Sequence, residues 1–225
     1  RYQGFQWFNA SIIVNYASKS KEIWGIPCPI FIRSIAMEGG IGPVAGSSHH
    51  SIYQRMPGTK ILSPMTPNEY QYAYDEFITN DDVFYISEHR LSFDNDKEFE
   101  DVIHDKSDFV LFPISITRFE AEKARVLLQE RGLNISIIHQ LWIKPFILKK
   151  EWLRCLNNSR FGGLVLDDDY EQGAASSIAQ RMMIQSNNKK VYTLGLQHRT
   201  AGFHSKVDNL PPNFRDIIRF LEKLL

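Results

Sequence analysis

From Phe5 to Lys21 the apolar residues Phe5, Phe8, Ile12 and Tyr16, with Ile13 and Ala17 beside them, recur at steps of three and four. That is the period of a half-buried helix. Trp24, Gly25 and Pro27 end it, and the short β-branched run Pro29–Arg33 reads as a buried strand. A glycine-rich loop closing in two adjacent histidines follows, then a turn at Pro57-Gly58 and a second strand at Lys60–Ser63. Thr66 before Pro67 pairs an N-cap with a first-turn proline and predicts a helix to about Ile78, after which Val83–Ser87 is a third strand.

Between His89 and Asp108 the pattern loses both periods and becomes charged, as a linker does. It then restarts. Strands are expected at Phe109–Ser115, Ile135–Ile143, Gly163–Asp167 and Val191–Leu196, with helices at Arg118–Arg131, Leu148–Leu156 and Gly173–Gln185 between them. Phe214, Ile217, Ile218, Leu221 and Leu225 stripe a closing helix. Strand and helix in alternation predict an α/β fold with parallel sheets. The organisation expected is a truncated parallel-sheet domain over 1–95, a linker over 96–108 and a complete doubly wound domain over 109–225.

The 225 residues carry 26 basic and 26 acidic side chains. A balanced charge argues against a broad electrostatic footprint for nucleic acid or an anionic membrane, and directs attention to a small-molecule site or a protein partner. No apolar run approaches the ~20 residues that span a bilayer, and no leader pattern opens the chain, so a cytoplasmic protein is the expectation. The sequons at Asn9, Asn134 and Asn157 then carry no information. Cys28 and Cys155 form no C-x-x-C pair and read as two reduced thiols.

Candidate chemistry starts with His49 and His50, set in a loop of small residues where a substrate can approach an acid, base or oxyanion donor. Paired histidines in a loop also serve as plain structural hydrogen bonders. The run Gly39–Pro43 lacks both the dinucleotide spacing and the P-loop lysine, and reads as a flexible loop. Asp167, Asp168 and Asp169 suggest either a magnesium site or, more simply, a solvated loop whose charge favours the next helix N-terminus. His198, Arg199 and His204 fit an anion or a surface loop, and His139 inside an apolar run fits a satisfied core histidine. Phe5, Trp7 and Phe8 could stack on a flat heterocycle or pack in the core.

Together these pieces resemble the beta subunit of the thiamine diphosphate-dependent 2-oxoacid dehydrogenases, within the transketolase-like superfamily. The resemblance rests on GFQWFNASIIVNYASK (Gly4–Lys19) ahead of PIFIR, on SSHHS, on MPGTKILSPMTPNE (Met56–Glu69) and on DDVFYISEHR (Asp81–Arg90). It continues in LVLDDDYEQGAASSIAQRM (Leu164–Met182) and LPPNFRDIIRFLEKLL (Leu210–Leu225). It implies a pyrimidine-binding domain followed by a transketolase C-terminal-like domain. Phe5, with Phe8 near it, would pack on the cofactor's pyrimidine ring, and His49 or His50 would be the active-site histidine. The family's essential glutamate lies upstream of the matching helix, and its diphosphate–magnesium motif is absent here. The resemblance therefore implies a chain inactive alone, with thiamine diphosphate and magnesium held mainly by an alpha-like partner subunit. Self-association through the C-terminal domain is expected, with a lipoyl acyltransferase as a further candidate partner. Transketolase-like or deoxyxylulose-phosphate-synthase-like carbon transfer is the rival chemistry, and a noncatalytic assembly subunit the rival class.

Overall fold

Val83–His89 (β3) is buried at every position, and a strand covered on both faces has to sit inside a sheet. It pairs in parallel with Ile30–Ala36 (β1) on one side and Thr59–Leu62 (β2) on the other. In the computed structural model, which describes residues 2–37, 42, 45–200, 202–204, 206 and 208–225, the chain forms two compact units. One comprises residues 1–98, 141–145 and 199–210; the other comprises 99–140, 146–198 and 211–225. The α/β class expected from the alternating pattern is what the structure has.

The first unit's sheet has the order β1-β3-β2-β6, where β6 (Trp142–Lys144) joins β2 antiparallel. This corrects one expectation. The apolar stretch Ile135–Ile143 is not one strand: Ile135–Ile137 (β5) belongs to the second sheet, while β6 closes the first. β1 and β3 also run further than expected, to Ala36 and to His89, carrying Glu88 and His89 into the sheet. Pro67–Ile78 (α4) starts as expected, with Thr66 Oγ1 accepting the Glu69 N–H at 3.4 Å. It packs Ala73 and Phe77 on Leu62, Phe84 and Ile86.

The N-terminal segment is helical from Gln3 to Trp24: a 3-10 turn (Gln3–Gln6), α1 (Trp7–Ile12), a π-helical turn (Ile13–Ala17) and α2 (Ser18–Trp24). Gly25 at φ +67° stops it, its N–H reaching Lys21 O. The buried face is Ile13, Ala17 and Ser18. The stripe of Phe5, Phe8, Ile12 and Tyr16 faces outward, the reverse of its expected orientation. The face next to the stripe, Ile13 and Ala17 with Ser18, is the one packed inward, so the larger apolar side chains are left outside.

The second unit is a parallel sheet in the order β5-β4-β7-β8, with β4 at Phe109–Pro113, β7 at Gly162–Tyr170 and β8 at Val191–Leu196. Thr117–Glu130 (α5) and Phe214–Glu222 (α8) cover one face through Ala121, Ala124, Leu128, Ile217, Ile218 and Leu221. Asn213 opens α8 with a full capping box to Asp216. Lys150–Asn158 (α6) lays Leu156 against Gly163, where an added Cβ would already touch Leu156 and Phe112. Ala174–Gln185 (α7) completes the layers, burying Ala175, Ile178, Ala179 and Met182.

Candidate functional site

Successive side chains of a strand alternate between faces, so β3 presents Tyr85 and Ser87 to one side and Phe84, Ile86 and Glu88 to the other. The Tyr85–Ser87 side carries the histidine loop. Residue Tyr2 bridges to Ile35, which places the 3-10 turn beside the carboxyl end of β1 and drops Gln3 onto β3. Gln3 is buried and fully engaged. Its Nε2 lies 2.9 Å from Ser87 Oγ, while its Oε1 accepts the His49 N–H at 2.6 Å and the Tyr85 hydroxyl at 3.2 Å.

The two histidines therefore have different stations. His50 opens the short helix α3 (His50–Gln54), is 0% exposed, and holds Nδ1 3.0 Å from Ser87 Oγ. His49 is half-buried, tethered through its backbone to Gln3, and its ring meets Trp7 edge-on at 5.7 Å between centroids. Tyr53 stacks on Tyr85 at 4.2 Å beneath them, and burial raises the Tyr53 hydroxyl to about 12, keeping it protonated. Trp7, which meets His49, is 56% exposed, and Phe5 and Phe8 of the same helical segment are 41% and 84% exposed. Open aromatic faces beside buried polar groups suit a flat, partly polar ring. Gly39 to Ile41 and Pro43 of the glycine loop lie outside the described residues.

On the other face of β3, Glu88 is buried and Arg33 grips it with Nε and Nη2. Burial raises the Glu88 carboxyl and Arg33 works against that rise. His89, one residue on, is lowered by burial to about 4 and accepts the Leu91 N–H on Nδ1 at 3.3 Å. Neither Gln3, Ser87 nor Glu88 stands out in the sequence. A polar residue ending an apolar strand, as Ser87 does, is the one signal that could have marked them.

In the second unit Asp167, Asp168 and Asp169 are not a solvated loop. They lie inside β7 and are buried; Ser115 Oγ donates to Asp168 Oδ2 at 2.8 Å, and the Asp169 N–H to Asp167 Oδ1 at 3.3 Å. His139 is the satisfied histidine expected of it. Its Nε2 meets Glu122 at 3.0 Å, its Nδ1 faces Arg118 Nε at 3.4 Å, and Phe99 stacks on the ring at 4.5 Å. Burial lowers His139, and Glu122 only partly restores it. Cys155 is buried and Cys28 half-buried, both as free thiols. Arg199 donates to the Asp208 carbonyl, and His204 is exposed.

Comparison with known proteins agrees with this architecture. No family model matches the chain. The beta subunit of the pyruvate dehydrogenase E1 component from Mesostigma viride is 22% identical over 173 residues, 70% of this chain and 51% of that protein. The chain thus spans about half the length of the curated relative it matches. Among solved structures, a split-gene transketolase, described as an inactive beta4 tetramer, superposes over the whole chain and 74% of its own, with a TM-score of 0.74 at 15% identity. The fold is transketolase-like, and the match to the E1 beta subunit agrees with the beta-subunit resemblance drawn from the sequence. No helix among the described residues is long and apolar enough to cross a membrane.

Proposed function

We propose that this chain is the C-terminal part of a thiamine diphosphate-dependent enzyme subunit of the 2-oxoacid dehydrogenase beta type. In this reading it contributes the pyrimidine side of the cofactor site and a subunit interface, and works in the cytoplasm. The observation that carries it is the gathering of His49 and His50, through Gln3 and Ser87, beside open aromatic rings at the carboxyl ends of β1 and β3. Ligands collect at that end of an open α/β sheet. Phe5 and Phe8 supply apolar surface for the aminopyrimidine, and His49 or His50 manages a proton near the reacting carbon. When bound, the cofactor supplies the carbanion chemistry of decarboxylation and acyl or two-carbon transfer. Diphosphate and magnesium are held by an alpha-like partner, a lipoyl acyltransferase takes the product, and the second unit mediates self-association.

A second reading has its own support. The superposing transketolase is described as inactive in its beta4 form, so a chain of this fold can assemble without catalysing. Native mass spectrometry of the complex purified through this chain separates the two. A larger second chain, with mass for thiamine diphosphate and magnesium, is the expected result. A homo-oligomer without cofactor overturns the enzyme reading in favour of assembly. Within a reconstituted complex, unchanged turnover in both His49→Ala and His50→Ala would remove the histidines from the chemistry.

A further inference from the structure

We propose that the amino-terminal edge of the second unit's sheet is a docking groove for an extended, acidic segment of a partner protein. Strands β4, β7 and β8 run parallel, so the residues that precede them meet at one edge. Two cavities lie there, of about 660 and 320 Å³, and Arg160 lines both. The larger holds Lys106 and Arg154 with Asp105 and Asp108, and the smaller adds Lys189 and Lys190. Five cations thus face two carboxylates, in a chain whose basic and acidic side chains balance at 26 each. The excess is a local field that the net charge conceals.

The backbone beneath holds these cations in place. The Arg160 N–H donates to the Ser107 carbonyl at 2.7 Å and the Phe161 N–H to that of Asp108 at 2.9 Å, tying the segment before β4 to the one before β7. Gly162 stands at φ +106°, and a Cβ there would fall 2.1 Å from the Lys190 carbonyl oxygen, so glycine is what lets the lysine pair come this close. Phe161 stacks on Phe109 at 5.1 Å and carries the Arg160 guanidinium 4.7 Å from its ring centroid, which orients the charge. Arg154 and Arg160 nevertheless keep 72% and 73% of their side chains in solvent. The carboxylates beside them, Asp105 and Asp108, stand 3.7 and 3.9 Å away, too far for hydrogen bonds, whereas Arg125 of the same unit meets Glu122 at 2.9 Å. Guanidinium donors left open in this way suit added carboxylates, which they bind in forked pairs.

A compact phosphate is the poorer fit. Phosphate sites are built on backbone N–H groups at helix N-termini, and α6 brings its carboxyl end, Asn158, to this groove. Asp105 and Asp108 would repel a phosphate backbone but offer acceptors to the peptide N–H groups of a polypeptide. Small ligands of open α/β sheets collect at the carboxyl ends of the strands, so a charged groove at the opposite ends is a place for a partner rather than a substrate. The inference goes beyond the enzyme reading and does not depend on it.

Fluorescence anisotropy of a labelled octaglutamate peptide, titrated with the whole chain in about 20 mM salt, tests it. Saturable binding is expected, weakening as salt is raised to about 200 mM. Arg154→Glu combined with Arg160→Glu should weaken it about tenfold or more. Lys189→Glu with Lys190→Glu, which leaves the Phe161 stack intact, should do so by a similar factor. Lys97→Glu with Arg181→Glu is an equal change of charge at exposed residues outside both cavities, and should leave affinity within about twofold. Equal loss in that control would mean a diffuse polyelectrolyte effect and overturns the proposal, as does an absence of binding or of loss in the groove variants. Tighter binding of ATP or of a single-stranded RNA oligomer, abolished by the same reversals, overturns it too and gives the groove to a phosphate ligand.

Discussion

Arg33 of β1 reaches diagonally across to Glu88 of β3, with Nε 2.6 Å from Oε1 and Nη2 3.3 Å from Oε2. The carboxylate is buried, whereas the Arg33 side chain keeps 51% of its surface in solvent. Burial raises Glu88 above its ordinary 4.5, and the hydrogen bond from Arg33 opposes the rise. The forked contact is what lets a charge sit at the end of a covered strand.

Arg33→Met should therefore unfold more easily, by about 2 kcal/mol at neutral pH, less than a wholly buried pair would lose because half of the arginine is in water. The sign with pH is specific. A raised folded-state value means that stability is fully present below about 4.5 and is lost as pH rises through the folded value. Without Arg33 that value rises further, so urea midpoints should coincide near pH 4 and separate upward. Adding Glu88→Gln should close most of the gap at pH 7; a gap of equal size at all pH values would place the loss elsewhere.

His89 titrates in the opposite sense. Burial lowers it from 6.5 to about 4, so its contribution is present above 6.5 and is lost as pH falls through 4. Over that window the loss is roughly 3 kcal/mol. His89→Asn keeps an acceptor for the Leu91 N–H and removes the titration, so its urea midpoint should fall less steeply than the wild type's between pH 6.5 and 4. A residual slope should remain from His139, which burial lowers in the same direction. Identical slopes in the two proteins would acquit His89.

Much of the fold is legible because certain runs have one physical solution. Val83–Ser87 and Phe109–Ser115 are too short and too apolar for anything but covered strands, and Thr66-Pro67 announces α4. β6 stays hidden because Ile135–Ile143 carries no turn signal, and its antiparallel register to β2 is decided by tertiary pairing alone. Charge misleads at Asp167–Asp169, where the run suggests water but the three residues lie buried within β7, at an irregularity in its register with β8. The histidine pair is visible, yet which ring is buried depends on Gln3, which lies 46 positions from His49 and belongs to no motif.

Gly58 and Gly132 share a left-handed backbone, at φ +69° and +83°, but not their surroundings. A Cβ on Gly58 would fall 1.6 Å from the Ser18 carbonyl oxygen, whereas one on Gly132 meets nothing within 4 Å. Gly132→Ala should thus cost only the backbone term, about 1 kcal/mol. Gly58→Ala must also push the Ser18 backbone, inside the N-terminal helical segment, away from the turn and should cost about 3 kcal/mol or more. Thermal melts of the two variants decide it, and equal losses would mean that the Ser18 contact gives way freely.

Phe5 and Phe8 make the last prediction, because their exposure sets folding and binding apart. Phe8 has 84% of its surface in water and Phe5 41%, so neither supports the fold of this chain strongly. Phe8→Ala should leave the unfolding midpoint within about 0.5 kcal/mol of wild type, with Phe5→Ala somewhat lower. If the rings pack on the cofactor's pyrimidine, the assembled complex should bind thiamine diphosphate roughly tenfold more weakly in Phe5→Ala, the loss of one aromatic contact. Calorimetric titration of the complex measures this without turnover. Unchanged cofactor affinity in Phe5→Ala, with assembly weakened in Phe8→Ala, would reassign the exposed stripe from the cofactor to the partner subunit.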